Sequence, residues 1–268
     1  MSSHKMGKII LESSMVTLSL KDVNMFVFDM AGTCVNEGGL VYSTIKKCLG
    51  DYNIDIKNLK NIGGMSKKQV IEHYVDKEFY NKEEAIYEVN RHYYRARKDK
   101  VSKEQIDQEI KGSISRQIYY NFQKELLNMY KIDGNIATFD GTYDLFHNLK
   151  DRNIKVCLNT GYPEEIAECI INKLGFKGLI DGYIASNMVE EGRPAPYMIN
   201  KLIADHNIKT SKNVIKVGDT VVDMAEGENV GVRYNIGVLT GVNNRDELWR
   251  GGADLVLPSI KDINKLLL

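Results

Sequence analysis

The sequence predicts an α/β protein, a doubly wound parallel sheet interrupted by an all-helical insert. Three observations predict it. The apolar run Met25-Phe26-Val27-Phe28 stops at Asp29, and small and polar residues follow at once. In an open parallel sheet, ligands bind beyond the carboxyl ends of the strands, so Asp29 stands where a buried strand presents a reactive group. From about residue 137 the chain alternates short apolar segments with helical ones, which implies parallel strands joined by right-handed crossovers. Between these parts, about 51 to 133 carries helical spacing and no strand pattern.

Residues 1 to about 22 are weakly patterned, with Ile9-Ile10 and Val16 to Leu20 as an edge strand or hairpin without firm placement. The first strand is expected over 24–29. Gly38-Gly39 breaks the chain, and Val41 to Leu49 reads as a helix. Gly63-Gly64-Met65-Ser66 is a loop, and Ser66 is suited to cap a helix over about 67–75. Helices are expected over about 83–98 and 104–131, where Ile106, Ile110, Ile114 and Ile118 recur at four-residue steps. Asp133-Gly134 closes this block.

The sheet then resumes. Asp140 to Leu149 is a helix, and Lys155 to Leu158 is a strand ending at Asn159-Thr160-Gly161. Pro163 suits a first helical turn, with the helix running to Leu174. Gly182 to Ala185 is a strand leading to Gly192-Arg193-Pro194, followed by a helix over about 195–205. Val214 to Val217 ends at Gly218-Asp219, with a helix to about Asn229. Arg233 to Val238 and Asp254 to Leu257 complete the sheet.

The 268 residues suffice for a large core or a core with an inserted domain. Lysine plus arginine equals aspartate plus glutamate at 36 each, so no net field points to nucleic acid or a membrane surface. No apolar run approaches the ~20 residues of a membrane span, and Met1 to Lys8 is polar, so cytosol is the expected location. The four cysteines lack a C-x-x-C spacing, which suggests neither zinc nor a disulfide framework. Cys157 reads as a buried thiol, and Cys34 is near enough to Asp29 to line a pocket. The tyrosine pairs at 93–94 and 119–120 read as helix packing.

A strand-Asp-Gly turn is by itself an ordinary turn. Here, though, several strand ends present polar residues at one sheet edge: Asp29, Thr160, Arg193, and Asp219 with Asp223. Two converging carboxylates repel unless a cation lies between them or one is protonated. A hard divalent ion with oxygen ligands, Mg²⁺, fits best. Thr160 offers a hydroxyl and the first amides of the following helix as a phosphate cradle, and Arg193 offers a fork for the same oxygens. A carboxylate, a metal, an anion cradle and a cation are the parts of phosphoryl transfer, with Asp29 as the nucleophile.

The order Asp29-x-Ala31-Gly32-Thr33, Asn159-Thr160-Gly161, Gly192-Arg193-Pro194 and Gly218-Asp219-Thr220-x-x-Asp223 resembles the haloacid dehalogenase (HAD) superfamily of phosphohydrolases, from about Asn24 to Leu257. The resemblance implies a Rossmann-like core with the insert as a C1 cap. The domains would be 1–42 (lead-in and first core strand), 43–133 (cap) and 134–268 (remaining core). It also implies that Asp29, the Ala31 carbonyl, Asp219 and Asp223 serve the metal, and that Ala31, Gly161 and Tyr162 line the substrate.

Most phosphatases of this superfamily carry a second aspartate two residues after the nucleophile, to protonate the leaving oxygen. This chain has Ala31 there. Ala31, Arg193, Tyr162 and the Met224 that follows Asp223 resemble the phosphonatase branch, which cuts a carbon–phosphorus bond. In that branch a cap lysine forms a Schiff base with a substrate aldehyde, and Lys67 holds the matching position. The branch's methionine before the loop glycine and histidine after the lysine are here Gly63 and Val70. An alternative therefore stays open: a phosphatase or phosphotransferase for another small phosphorylated metabolite, in which Lys67 only binds substrate. The implied partner is a small phosphonate or phosphate metabolite, and the cap helices offer a homodimer surface as in the branch.

Overall fold

The central strand β1 (Met25–Asp29) is buried along its whole length. Its alternate side chains enter two different layers, because successive residues of a strand point to opposite faces. Phe26 and Phe28 stack on one face with ring centroids 5.7 Å apart, and Phe28 meets Phe146 at 5.2 Å. Met25 and Val27 enter a second cluster with Cys157, Ile184, Met198 and Leu202. Burial on both faces is the condition of a parallel strand covered by helices on each side.

The computed structural model describes residues 20–56, 66–79, 103–132 and 136–267. The expected edge strand or hairpin before residue 20, the 57–65 loop with Gly63, the 83–98 helix, the Tyr93-Tyr94 pair and Asp133-Gly134 lie outside these residues. Two compact units divide the described chain, 20–38 with 136–267 and 39–56 with 66–79 and 103–132.

The first unit is the α/β fold that the sequence predicts. After β1 come β2 (Val35–Asn36), β3 (Ala137–Thr138), α4 (Thr142–Asp151), β4 (Lys155–Thr160), α5 (Glu164–Lys173) and β5 (Gly182–Ala185). Then follow α6 (Tyr197–Asp205), β6 (Val214–Gly218), α7 (Val221–Val230), β7 (Tyr234–Val238), α8 (Arg245–Arg250), β8 (Leu255–Leu257) and a 3₁₀ segment, Ile260–Leu266. Six strands form one sheet in the order β5-β4-β1-β6-β7-β8, every pairing parallel. β2 and β3 form a small antiparallel pair beside it. The chain winds outward from β1 to β4 and β5, then crosses to β6 and winds the other way. β1 is thus at the switch point, where an open α/β sheet leaves its crevice.

Two helix starts differ from expectation. Pro163 precedes α5 in extended backbone rather than lying in its first turn, and α6 begins at Tyr197, after Pro196. Proline fixes φ and lacks an N–H, so a proline next to a boundary sets the start of the ladder.

The second unit is helical: α1 (Leu40–Gly50), α2 (Lys67–Phe79) and α3 (Lys103–Ile132). Both α1 and α2 pack on α3. Ile118, Phe122, Leu126 and Tyr130 of α3 are fully buried at four-residue steps, the stripe that an amphipathic helix buries. Lys47 and Cys48 of α1 both reach the Glu125 carboxylate of α3. Lys111 of α3 stands 3.9 Å from Asp76 of α2. Among the described residues no helix is long and apolar enough to cross a membrane.

Candidate active site

The parallel register decides which side chains meet. Asp29 pairs with Asn159 of β4, and Phe28 pairs with Val217 of β6. The carboxyl ends of β4, β1 and β6 are therefore level, and Asp29, Thr160 and Asp219 emerge side by side. α7 starts just beyond β6 and carries Asp223 over the same edge. Asp29, Asp219 and Asp223 are buried and each offers an oxygen within 4.8 Å of the others.

Each carboxylate has a different set of partners. Asp29 Oδ1 accepts a 2.7 Å hydrogen bond from Arg193 Nη1. Asp219 Oδ1 accepts from the Thr33 hydroxyl at 3.2 Å, and Oδ2 accepts from the Val242 N–H at 2.9 Å. Gly32 makes this approach feasible. Its φ is +87°, and a Cβ there would lie 2.7 Å from Asp219 Oδ2. Asp223 is the most engaged. Its Oδ2 accepts from the Thr220 N–H at 3.2 Å and the Thr220 hydroxyl at 2.5 Å, the reciprocal cap of α7. Its Oδ1 accepts from Arg193 Nη1 and from Lys216 Nζ, the latter at 2.9 Å.

The electrostatics follow from these partners. Burial, then the charges of Asp29 and Asp223, push Asp219 up to about 8. Burial also raises Asp29, against the pull of Arg193. Burial would raise Asp223 too, but Lys216, Arg193 and the Thr220 hydrogen bond outweigh it and bring it down to about 2. Three carboxylates this close oppose one another's ionisation, and with no divalent ion between them burial and that repulsion raise both Asp219 and Asp29. Arg193 rises further above its ordinary value, because Asp223 and Asp29 outweigh its own burial.

Arg193 lies in the loop between β5 and α6, eight residues past the strand rather than just after it. Its Nη1 joins Asp29 to Asp223, so it is an ion-pair partner of the cluster before it is an anion fork. Its buried Nε–H has no acceptor among the described residues, which leaves that donor for an incoming anion. Thr160 is buried, and its hydroxyl accepts from the Tyr162 N–H at 3.2 Å, so its own proton points elsewhere. The expected cradle of first helix amides is narrower than the sequence suggested. Pro163 has no N–H, and the Glu164 N–H is taken by the Asn187 side chain at 2.8 Å. Gly161 and Tyr162 sit on this turn, where their carbonyls hold Ser186. The buried Tyr162 hydroxyl donates to Glu37. Ala31 is half-buried and bridges Val35 through its backbone.

Cys34 is fully buried, and its thiol donates to the Asp29 main-chain oxygen at 3.2 Å. Burial, then the nearby Asp29 charge, pushes that thiol well up, which keeps it in the protonated form that braces the strand end. Cys157 is buried, as expected. Lys67 belongs to the helical unit, at the first position of α2. It is buried there, with its ammonium 5.4 Å above the Tyr42 ring.

Sequence reasoning missed a buried polar layer behind the cluster. Lys216, fully buried within β6, places its ammonium 2.9 Å from Asp223, 3.0 Å from Asn159 Oδ1 and 3.5 Å from Glu226 Oε2. Asn159 in turn donates to both Glu226 oxygens, at 2.8 and 3.0 Å. A signal was present: a lysine inside the apolar run Val214-Ile215-Lys216-Val217 must find a charged partner if both faces of the strand are buried.

A buried carboxylate cluster at the switch point of a parallel sheet defines an α/β enzyme of the doubly wound class. The sequence model of the haloacid dehalogenase-like hydrolases matches residues 23–231, and the chain belongs to that family. It is similar to a phosphonoacetaldehyde hydrolase of Parabacteroides distasonis, 34% identical over 128 residues, a match spanning 47% of this chain and 47% of that protein. In this relative, then, the likeness covers about half the length. It is also similar to a phosphonoacetaldehyde hydrolase of Bacteroides fragilis, 27% identical over 233 residues, 84% of this chain and 79% of the relative. A solved structure of a phosphonoacetaldehyde hydrolase-like protein from Oleispira antarctica shares the fold, with a TM-score of 0.68 at 18% identity, covering 97% of this chain and 95% of that one.

Proposed function

We propose that the protein is a Mg²⁺-dependent hydrolase that cleaves the carbon–phosphorus bond of phosphonoacetaldehyde or a related small phosphonate. The observation that carries this reading is the environment of Asp29: a buried carboxylate joined to Arg193, with Ala31 where an acid for an oxygen leaving group would stand. An alkoxide leaving group needs a proton donor, and a carbon leaving group needs an electron sink instead.

The donor set fits a hard divalent ion. It is all oxygen, buried, and includes a carboxyl that keeps its proton until a cation compensates it. Asp29, the Ala31 carbonyl and Asp219 would hold the ion, with Asp223 in support because its own oxygens already accept from four donors. When bound, Mg²⁺ neutralises charge on the carboxylates and on the phosphoryl oxygens. Thr160 and Arg193 orient those oxygens, and Gly161 and Tyr162 shape the turn beside them. Lys67 condenses with the substrate aldehyde and loses water to form an iminium. Asp29 attacks phosphorus, the carbon–phosphorus bond breaks, and its electron pair moves into the iminium to give an enamine. Protonation and hydrolysis of the enamine release acetaldehyde and regenerate Lys67, and water then releases phosphate from Asp29. The helical unit acts as the C1 cap that excludes water during these steps. Its helices provide the surface for a homodimer, and the enzyme works in the cytosol on a small metabolite.

Val70 favours a second reading. It is a fully buried apolar side chain one turn after Lys67, where the branch has a histidine. On this reading Lys67 binds a distal group of another phosphorylated metabolite. Phosphate release from phosphonoacetaldehyde with Mg²⁺, abolished by Lys67→Arg, supports the first reading. So does borohydride trapping of an aldehyde adduct on Lys67. Phosphate release from simple esters that Lys67→Arg leaves intact overturns it.

A further inference from the structure

We propose that Lys216 is a positioning residue for phosphoryl binding: from beneath the sheet edge it fixes the Asp223 carboxylate that holds Arg193 against Asp29. The inference rests on reading this cluster as a phosphoryl site, and not on the carbon–phosphorus chemistry.

The geometry forms a chain of contacts. Lys216 pairs in register with Val27 of β1, and Asp29 pairs with Asn159. Side chains two residues apart on adjacent parallel strands share a face, so Lys216, Asn159 and Asp29 point the same way, toward α7. Glu226 of α7, with no exposed surface, closes on Lys216 and Asn159 from above. The ammonium therefore has three fixed acceptors, and one of them is Asp223 Oδ1, the same atom that Arg193 Nη1 contacts. That oxygen lies between two cations. Lys216 takes part of its charge, and Arg193 is left able to engage both Asp29 and an incoming anion.

A structural ion pair is the plain alternative. Buried ion pairs are often replaceable by apolar residues of similar volume without loss of stability. A core stitched only for stability would be as well served by apolar side chains in place of the whole paired set, like Val214 on the same face of β6. The charge here is instead aimed at the carboxylate beside the nucleophile. It also sets the electrostatic total. Asp29, Asp219, Asp223 and Glu226 against Arg193 and Lys216 give a formal charge of minus two when all the carboxylates are ionised, the complement of one divalent cation. Removal of Lys216 makes the site more negative by one, which opposes an anion and favours a cation.

The test is calorimetric binding of Mg²⁺ alone, and of inorganic phosphate in the presence of Mg²⁺, to the full chain and to Lys216→Met. The expected result is a split: phosphate affinity falls at least tenfold while Mg²⁺ affinity holds or tightens. Lys216→Gln keeps polar contacts to Asn159 and Glu226 without the charge, and it shows the same split if Lys216→Met does not fold. Equal phosphate affinity in wild type and a folded variant overturns the inference alone. A parallel loss of both affinities, or failure of both variants to fold, also overturns it by assigning Lys216 a structural role. Wild-type protein that binds Mg²⁺ but no phosphate overturns the site reading itself.

Discussion

The carboxylate cluster makes the metal-free protein sensitive to alkali in a range where most proteins are at their most stable. Asp219 lies at about 8 in the fold, against 3.8 for an ordinary aspartate. A carboxyl whose folded value is raised contributes stability that is fully present below its unfolded value and is lost as pH rises through its folded value. Between pH 5 and 7 Asp219 by itself holds about one proton more in the fold than in the unfolded chain, and the raised Asp29 and Glu226 act in the same direction. Stability then falls by on the order of 3 kcal/mol across that range. For a chain of this size each kcal/mol moves Tm by about 2–4 °C, so Tm should fall by roughly 6–12 °C. Asp223 has the opposite sign, since its value is lowered to about 2. Its contribution is complete above pH 4 and is lost only in stronger acid. A bound divalent cation replaces the proton, so stabilisation by Mg²⁺ grows with pH. Thermal melts with EDTA and with saturating Mg²⁺ at pH 5, 6 and 7 measure both trends. A flat or rising EDTA series, or Mg²⁺ stabilisation that does not change with pH, would refute the argument. So would a slope that survives Asp219→Asn.

Other expectations follow from the same geometry. A Cβ at Gly241 would lie 1.8 Å from Asp219 Oδ2, so Gly241→Ala should displace that carboxylate and weaken Mg²⁺ binding at least tenfold by calorimetry, with the sheet intact by circular dichroism. Asp29→Asn removes the nucleophile and one partner of Arg193. Phosphate release in a coupled assay should fall by three orders of magnitude or more, roughly the loss seen when a catalytic group is deleted, and residual turnover near wild type would exclude Asp29 as the nucleophile. Phe146→Ala empties the layer where Phe146 meets Phe28 at 5.2 Å and Phe176 at 5.5 Å. It should cost about 3–5 kcal/mol in denaturant unfolding while leaving Mg²⁺ affinity of the folded protein unchanged.

The sequence by itself determined the α/β class, the six strands of the parallel sheet and most helices of the core, and the long helix of the second unit, but not the short β2–β3 pair. Each of these is a local pattern: an apolar run ending in a polar turn, or apolar residues at helical steps, as in Ile110 to Ile118. It also determined that Asp29, Thr160 and Asp219 stand at strand ends, with Asp223 at the start of the next helix, because a strand end is marked in the residues themselves. Only the tertiary structure decided which of these groups share atoms. Register places Asp29 beside Asn159, and the loop after β5 brings Arg193 back between Asp29 and Asp223. The turn after β7 brings Val242 onto Asp219. Lys216 was marked by its place in an apolar run, but its pairing with Glu226 and Asp223 was invisible for the same reason. A charge buried inside a strand or helix is stabilised by partners far away in sequence, and pairing across the sheet, not local propensity, tells which partners those are.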